Sequence, residues 1–206
     1  MLDTHARKYV QPLLERIANL LIRIEVCANL ATVIAFVVGV LSAGMVCLRW
    51  YWPAVAVLWL SGLLDAVDGT IARKTNTASP LGTLLDIVFD RIVEILQLMA
   101  LIYIAPELAL YVAVVLSCII VSMTIFLTVG ASAANSREKT VKKSFYYQAG
   151  LAERSEGFIM ITLTVLLEKY RAIVLLAFAA MILFTAVQRF IEAVRLFGNH
   201  EKNENH

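Results

Sequence analysis

Four of the chain's five aspartates, Asp65, Asp68, Asp86 and Asp90, fall within LLDAVDGTIARKTNTASPLGTLLDIVFDRIVE, residues 63–94. Asp65, Asp68, Gly69 and Ala72 stand at i, i+3, i+4 and i+7, which is one face of a helix. Gly82, Asp86 and Asp90 follow at steps of four, and Glu94 and Gln97 continue roughly the same stripe. Two helices joined by a short turn around Asn76 to Pro80 therefore aim four carboxylates at a common point. Carboxylate oxygens gathered without histidine or cysteine suit hard divalent cations, Mg²⁺, Mn²⁺ or Ca²⁺, and match zinc and copper poorly. Such an ion, left with open coordination positions, grips phosphates. Gly69, Ala72 and Gly82 remove side chain from the same face, and Arg73 at the end of the first helix offers a fork of donors to an anion. Together these favour a phosphoanhydride substrate. A plainer reading stands beside it: an intramembrane ion-pair network, a tight helix contact at Gly69 and Ala72, or a cation or proton pathway lined by the acids, as in a small cation-coupled transporter or channel.

The elements that hold these residues belong to a membrane protein. Of 206 residues, 60% are hydrophobic and 17% charged, and the mean hydropathy is +0.78. A hydrocarbon layer about 30 Å thick needs about 20 apolar residues in a helix, and six segments qualify: 28–48, 52–73, 81–104, 108–131, 155–168 with a polar start, and 171–196. Ahead of them Tyr9, Val10, Leu13, Leu14, Ile17, Leu20 and Leu21 recur at helical spacing with charged residues opposite, an amphipathic helix over 1–24 that suits the membrane interface. The expectation is an all-α integral membrane protein of six transmembrane helices, a single domain over 1–198 with a disordered polar tail over 199–206. No basic, aromatic-interleaved surface points to nucleic acid. Cys27, Cys47 and Cys118 are widely spaced in apolar runs and read as small hydrophobes.

Lysine and arginine concentrate in alternate connections. Arg7, Lys8, Arg16, Arg23, Arg73, Lys74, Arg137, Lys139, Lys142, Lys143, Arg195 and Lys202 fall on one side, and Arg49, Lys169 and Arg171 on the other. By the positive-inside rule both termini and the acid cluster face the cytoplasm of a multi-pass cell-membrane protein.

Written out, the cluster is Asp65-x2-Asp68-Gly69-x2-Ala72-Arg73-x8-Gly82-x3-Asp86-x3-Asp90. It resembles the signature of the CDP-alcohol phosphotransferase family, D-x2-D-G-x2-A-R-x7-8-G-x3-D-x3-D, at every specified position. Family members often open the first span with Pro-Asn-x-Ile-Thr; Ala28-Asn29-Leu30-Ala31-Thr32 keeps Asn29 and Thr32 and lacks the proline. The resemblance implies transfer of a phosphatidyl or similar phospho-alcohol group from a CDP-alcohol, such as CDP-diacylglycerol, to an acceptor hydroxyl with release of CMP, in phospholipid biosynthesis. It implies that Asp65, Asp68 and Asp86 hold one or two Mg²⁺ or Mn²⁺ ions, with Ca²⁺ as a non-productive occupant. Asp90 then shares in metal binding or serves as general base. Asp65, Asp68, Gly69, Ala72, Arg73 and Gly82, with Asn29 and Thr32, line the nucleotide pocket. It also implies a homodimer.

The acceptor is less legible. Arg137, Lys139, Lys142 and Lys143 suit an acceptor phosphate, as in glycerol 3-phosphate or inositol phosphate, and equally suit anionic lipid headgroups. Arg154 opens a span between Glu153 and Glu156; acids suit a first helical turn, whereas the arginine has no such explanation and is an acceptor candidate. Glu94 and Gln97 can bond a polyol, or pair with Arg91 or a neighbouring helix.

Overall fold

The computed structural model describes residues 2–135 and 154–204, which form seven α-helices and two short 3-10 turns, with no strand among them. The helices are α1 (Leu2–Arg23), α2 (Ala28–Cys47), α3 (Tyr51–Thr75), α4 (Pro80–Ile104), α5 (Ala109–Asn135), α6 (Arg154–Leu166) and α7 (Arg171–Glu204). Three of the chain reversals use one device. Glu25, Arg49 and Asn76 take left-handed φ values of 60°, 62° and 55°. The N–H after each donates five residues back: Val26 to Leu21 O at 3.0 Å, Trp50 to Met45 O at 2.9 Å, and Thr77 to Ala72 O at 3.0 Å. These 6→1 bonds satisfy carbonyls that a helix end leaves without partners. The turn after Asn76 is immediately followed by a new start, where Ser79 Oγ accepts from the Gly82 N–H at 3.1 Å and Pro80 occupies the first helical position. A serine cap and a proline with no N–H to lose are what a helix N-terminus favours. The two acid-bearing helices are thus locked into a tight hairpin.

α2 lies against both α3 and α4. A Cβ added at Gly39 would lie 2.6 Å from Val93 Cγ2 and 2.9 Å from Ser61 Oγ, so the three helices meet there at backbone distance. Polar stitches fix the register. Ser61 Oγ donates to Ala35 O and Ser42 Oγ to Ala54 O, each at 2.7 Å, and Gln97 Nε2 donates to Ser42 Oγ at 2.8 Å. Small residues and interhelical hydrogen bonds are how helices associate where lipid is as apolar as leucine. Gln97 is fully buried in this contact, so of its two expected roles the structure gives it the helix-to-helix one.

α5 pairs with α7, and α6 leans on α7 and α3, with Trp59 Nε1 donating to Thr162 Oγ1 at 3.1 Å. Leu58, Leu98, Leu101, Val112, Leu175 and Phe178 form the centre of the larger apolar cluster. α1 packs through Leu14 and Ala18 onto Val67 and Ile71 of α3, leaving Leu13 and Leu20 exposed.

Among the described residues, four helical stretches are long and apolar enough to cross a membrane: Ala28–Cys47, Tyr51–Thr75, Pro106–Ser132 and Glu168–Arg195. The other two expected spans exist as helices but differ in character. α4 has 25 residues, and Asp86, Asp90, Arg91 and Glu94 interrupt its apolar run. The described part of α6, Arg154–Leu166, comprises 13 residues, about 20 Å at 1.5 Å per residue. α7 continues to Glu204, into the stretch expected as a tail, because 199–204 contain no proline and several good helix formers.

Candidate functional site

The α3–α4 hairpin brings carboxylate oxygens of Asp65, Asp68 and Asp86 within 4.8 Å of one another. Asp65 and Asp68 are 7% and 6% exposed. Asp68 Oδ2 is buried without a hydrogen-bond partner among the described residues. An orphaned buried carboxylate oxygen costs several kcal/mol unless something positive meets it. An oxygen-only set of this kind fits a divalent cation of the Mg²⁺ or Mn²⁺ type.

Two cavities adjoin this cluster. The smaller, about 190 Å³, is lined by Asn29, Thr32, Asp68, Gly69, Ala72, Arg73 and Gly82. Every residue expected at the nucleotide is there except Asp65. The absent side chains matter: a Cβ at Gly82 would lie 3.1 Å from Asn29 Oδ1, tighter than normal contact. Arg73 Nη2 donates to Thr70 Oγ1 at 3.1 Å, which holds the guanidinium at the rim.

The larger cavity, about 360 Å³, takes Asp65, Asp86, Asp90, Arg91 and Glu94 on one side, and Ile119, Met123, Phe126 and Phe178 on the other. Asp90 lines this cavity and stands outside the group of three oxygens. Thr32 and Asp86 line both cavities, so the carboxylate cluster occupies their junction. Within the larger one, Arg91 Nη1 donates to Glu94 Oε2 in an ion pair.

One residue of the larger cavity was missed from the sequence. Arg189 on α7 reaches it, with its guanidinium 5.3 Å from the centre of the Phe126 ring. The signal was available, because an arginine inside a predicted span marks a functional position by default. Of the acceptor candidates, Glu94 lines this cavity and Arg154 is the first described residue of α6, while Arg137 and Lys143 lie outside the described residues.

The family model for CDP-alcohol phosphatidyltransferase matches residues 25–197, nearly the whole helical chain. The chain belongs to the CDP-alcohol phosphatidyltransferase family. It is 32% identical to the inner membrane protein YnjF of Escherichia coli, over 92% of this chain and 93% of that one. It is 30% identical to a phosphatidylinositol phosphate synthase of Corynebacterium glutamicum, over 94% and 89%. The fold is that of the Mycobacterium tuberculosis phosphatidylinositol phosphate synthase (PgsA1) with CDP-DAG bound: TM-score 0.72 at 20% identity, over 89% of this chain and 94% of that one. The same protein in complex with manganese and citrate gives 0.70 at 21% identity, over 86% and 87%.

As a CDP-alcohol phosphatidyltransferase the chain is a multi-pass membrane enzyme of phospholipid synthesis. The expected signature is therefore a family feature, and three of its four aspartates, Asp65, Asp68 and Asp86, form a group that fits the Mg²⁺ or Mn²⁺ dependence of the family. This removes the main ground for reading the acids as a transport pathway.

Proposed function

We propose that the chain transfers a phosphatidyl group from CDP-diacylglycerol to a hydroxyl of a phosphorylated polyol, with inositol phosphate ahead of glycerol 3-phosphate, releasing CMP. One observation carries the reading: the three-aspartate cluster stands where a glycine-cleared cavity meets a larger one that holds both Asp90 and Arg189. The cytidine diphosphate lies in the smaller cavity, against Asn29, Thr32, Gly69, Ala72 and Gly82, with Arg73 meeting its charge at the rim. The acceptor enters the larger one. A divalent ion held by Asp65, Asp68 and Asp86 neutralises charge on the diphosphate and makes CMP a better leaving group. Asp90 takes the acceptor's proton as its oxygen attacks the lipid-side phosphorus in line, and the bond from that phosphorus to the bridging oxygen breaks toward CMP. No covalent enzyme intermediate is needed.

Arg189 supplies the positive charge for the acceptor's phosphate, aided by Arg154 and by Arg137 and Lys143 of the basic connection. Two relatives support inositol phosphate: a phosphatidylinositol phosphate synthase and an archaetidylinositol phosphate synthase. Around this site all six helices α2 to α7 cross the bilayer within one domain over 1–198. The charges of α4 turn inward, α1 lies at the interface, both termini are cytoplasmic and the enzyme is a homodimer.

The deciding experiment incubates purified protein with CDP-diacylglycerol, Mn²⁺ or Mg²⁺, and a panel of inositol phosphate, glycerol 3-phosphate, serine and water. CMP released with inositol phosphate is expected. No CMP with any acceptor, accompanied by cation flux in vesicles, would replace this reading with the transport one.

A further inference from the structure

The larger cavity has a wall that the reaction itself does not use. Glu94 on α4 engages Arg91 through Oε2, while Oε1 faces across the cavity toward α6. Opposite it is Gly157: a Cβ built there would lie 4.0 Å from Glu94 Oε1 and 3.9 Å from Phe178 Cζ. Both distances are ordinary van der Waals separations, so nothing in the packing of α6 demands glycine at this position. Glycine in a helix is also about 1 kcal/mol less favourable than alanine. What the missing side chain leaves is room between a carboxylate oxygen and an aromatic edge, in a cavity that already holds Arg189 and Asp90.

We propose that Glu94 and Gly157 form the acceptor-selecting wall of the cavity: the space at Gly157 admits a ring polyol, and Glu94 Oε1 accepts hydrogen bonds from its hydroxyls. This rests on the acceptor binding in the larger cavity as argued above. An ionised carboxylate accepts through both oxygens, so the Arg91 pair leaves Oε1 with acceptor capacity. The apolar edge of Phe178 packs against a ring's C–H face. A short acceptor such as glycerol 3-phosphate has no ring to place in the space at Gly157, and on this proposal is insensitive to the wall. Both residues are specificity determinants and neither touches the reacting atoms.

The test compares wild type, Gly157→Ala and Glu94→Gln with inositol phosphate and with glycerol 3-phosphate, reading CMP release at saturating CDP-diacylglycerol. Gly157→Ala is expected to lower kcat/KM for inositol phosphate about tenfold or more and to leave glycerol 3-phosphate within about twofold, since one methyl group in a fitted pocket discriminates by roughly that much. Glu94→Gln is expected to raise KM for inositol phosphate by a similar factor with KM for CDP-diacylglycerol unchanged. Thermal stabilisation of the Mn²⁺-loaded enzyme by inositol phosphate alone, lost in both variants, reads the same wall without turnover. Equal losses with both acceptors, unchanged kinetics, or a wild type that uses only glycerol 3-phosphate overturns the proposal. A wild type that releases no CMP with any acceptor instead overturns the functional reading beneath it, and the thermal shift still decides whether the wall binds the polyol.

Discussion

Asp86 and Asp90 are one turn apart on α4 and both line the larger cavity, but only Asp86 joins Asp65 and Asp68 in the group of close carboxylates. Their replacements should therefore fail differently. Asp68→Asn removes the orphaned oxygen's charge from the ion site and should raise the Mn²⁺ concentration for half-maximal activity about tenfold or more, because affinity follows ligand charge. Asp90→Asn should retain CDP-diacylglycerol binding and lose turnover by about 10²- to 10⁴-fold, the usual contribution of a positioned base. A titration of activity against Mn²⁺, alongside donor binding by calorimetry, separates the two. If Asp90→Asn shifts the Mn²⁺ requirement and spares turnover at saturating metal, Asp90 is a ligand and no base. Arg189→Gln should raise KM for a phosphorylated acceptor roughly tenfold or more, as loss of a charge-assisted hydrogen bond does, and leave donor KM alone. The motif aspartates were legible because chemistry and periodicity coincide within residues 63–94. Arg189 stood out only as an arginine inside a predicted span; its place at this cavity was not legible, because it comes from a helix about a hundred residues away and only packing brings the two together.

At the level of elements, α2 decides how precisely the hairpin is held. Gly39 has no room for a methyl group against Val93 and Ser61, so Gly39→Ala should push α2 off both acid-bearing helices at a cost of about 1–3 kcal/mol, the usual range for overpacking. The readout is a lowered unfolding midpoint in detergent together with weaker metal dependence, and an unchanged midpoint would mean the three helices adjust freely. Arg171 works at the far end of α6. It is 7% exposed, donates to Thr164 O at 3.1 Å and Val165 O at 3.2 Å, and stacks over Tyr51 at 5.2 Å. Arg49 Nη2 likewise reaches Ile104 O, at 3.5 Å, at the end of α4. Two of the three basic residues on the sparsely charged side are thus occupied with helix C-terminal carbonyls, where positive charge is favourable. Helix existence and approximate limits could be read from apolar run lengths. The different character of α4 followed less readily, because the charges of the site, Asp86, Asp90, Arg91 and Glu94, interrupt its apolar run.

For the whole molecule, the distribution of basic residues bears on which side of the membrane the site faces. The density of lysine and arginine in alternate connections argues for the cytoplasmic side, and the helix-capping roles of Arg49 and Arg171 strengthen it: they account structurally for two of the basic residues that run against the rule. Cys27 is well placed to test this. It is exposed and immediately precedes α2, two residues before Asn29 of the smaller cavity, whereas Cys47 and Cys118 are half-buried. With Cys47 and Cys118 replaced by serine, a membrane-impermeant maleimide should leave the protein unlabelled in intact cells and label it in inside-out vesicles. Labelling of Cys27 from outside intact cells would reverse the whole topology, carrying the α3–α4 hairpin with it, because Asn29 and Gly82 line one cavity and cannot open to opposite sides of the membrane.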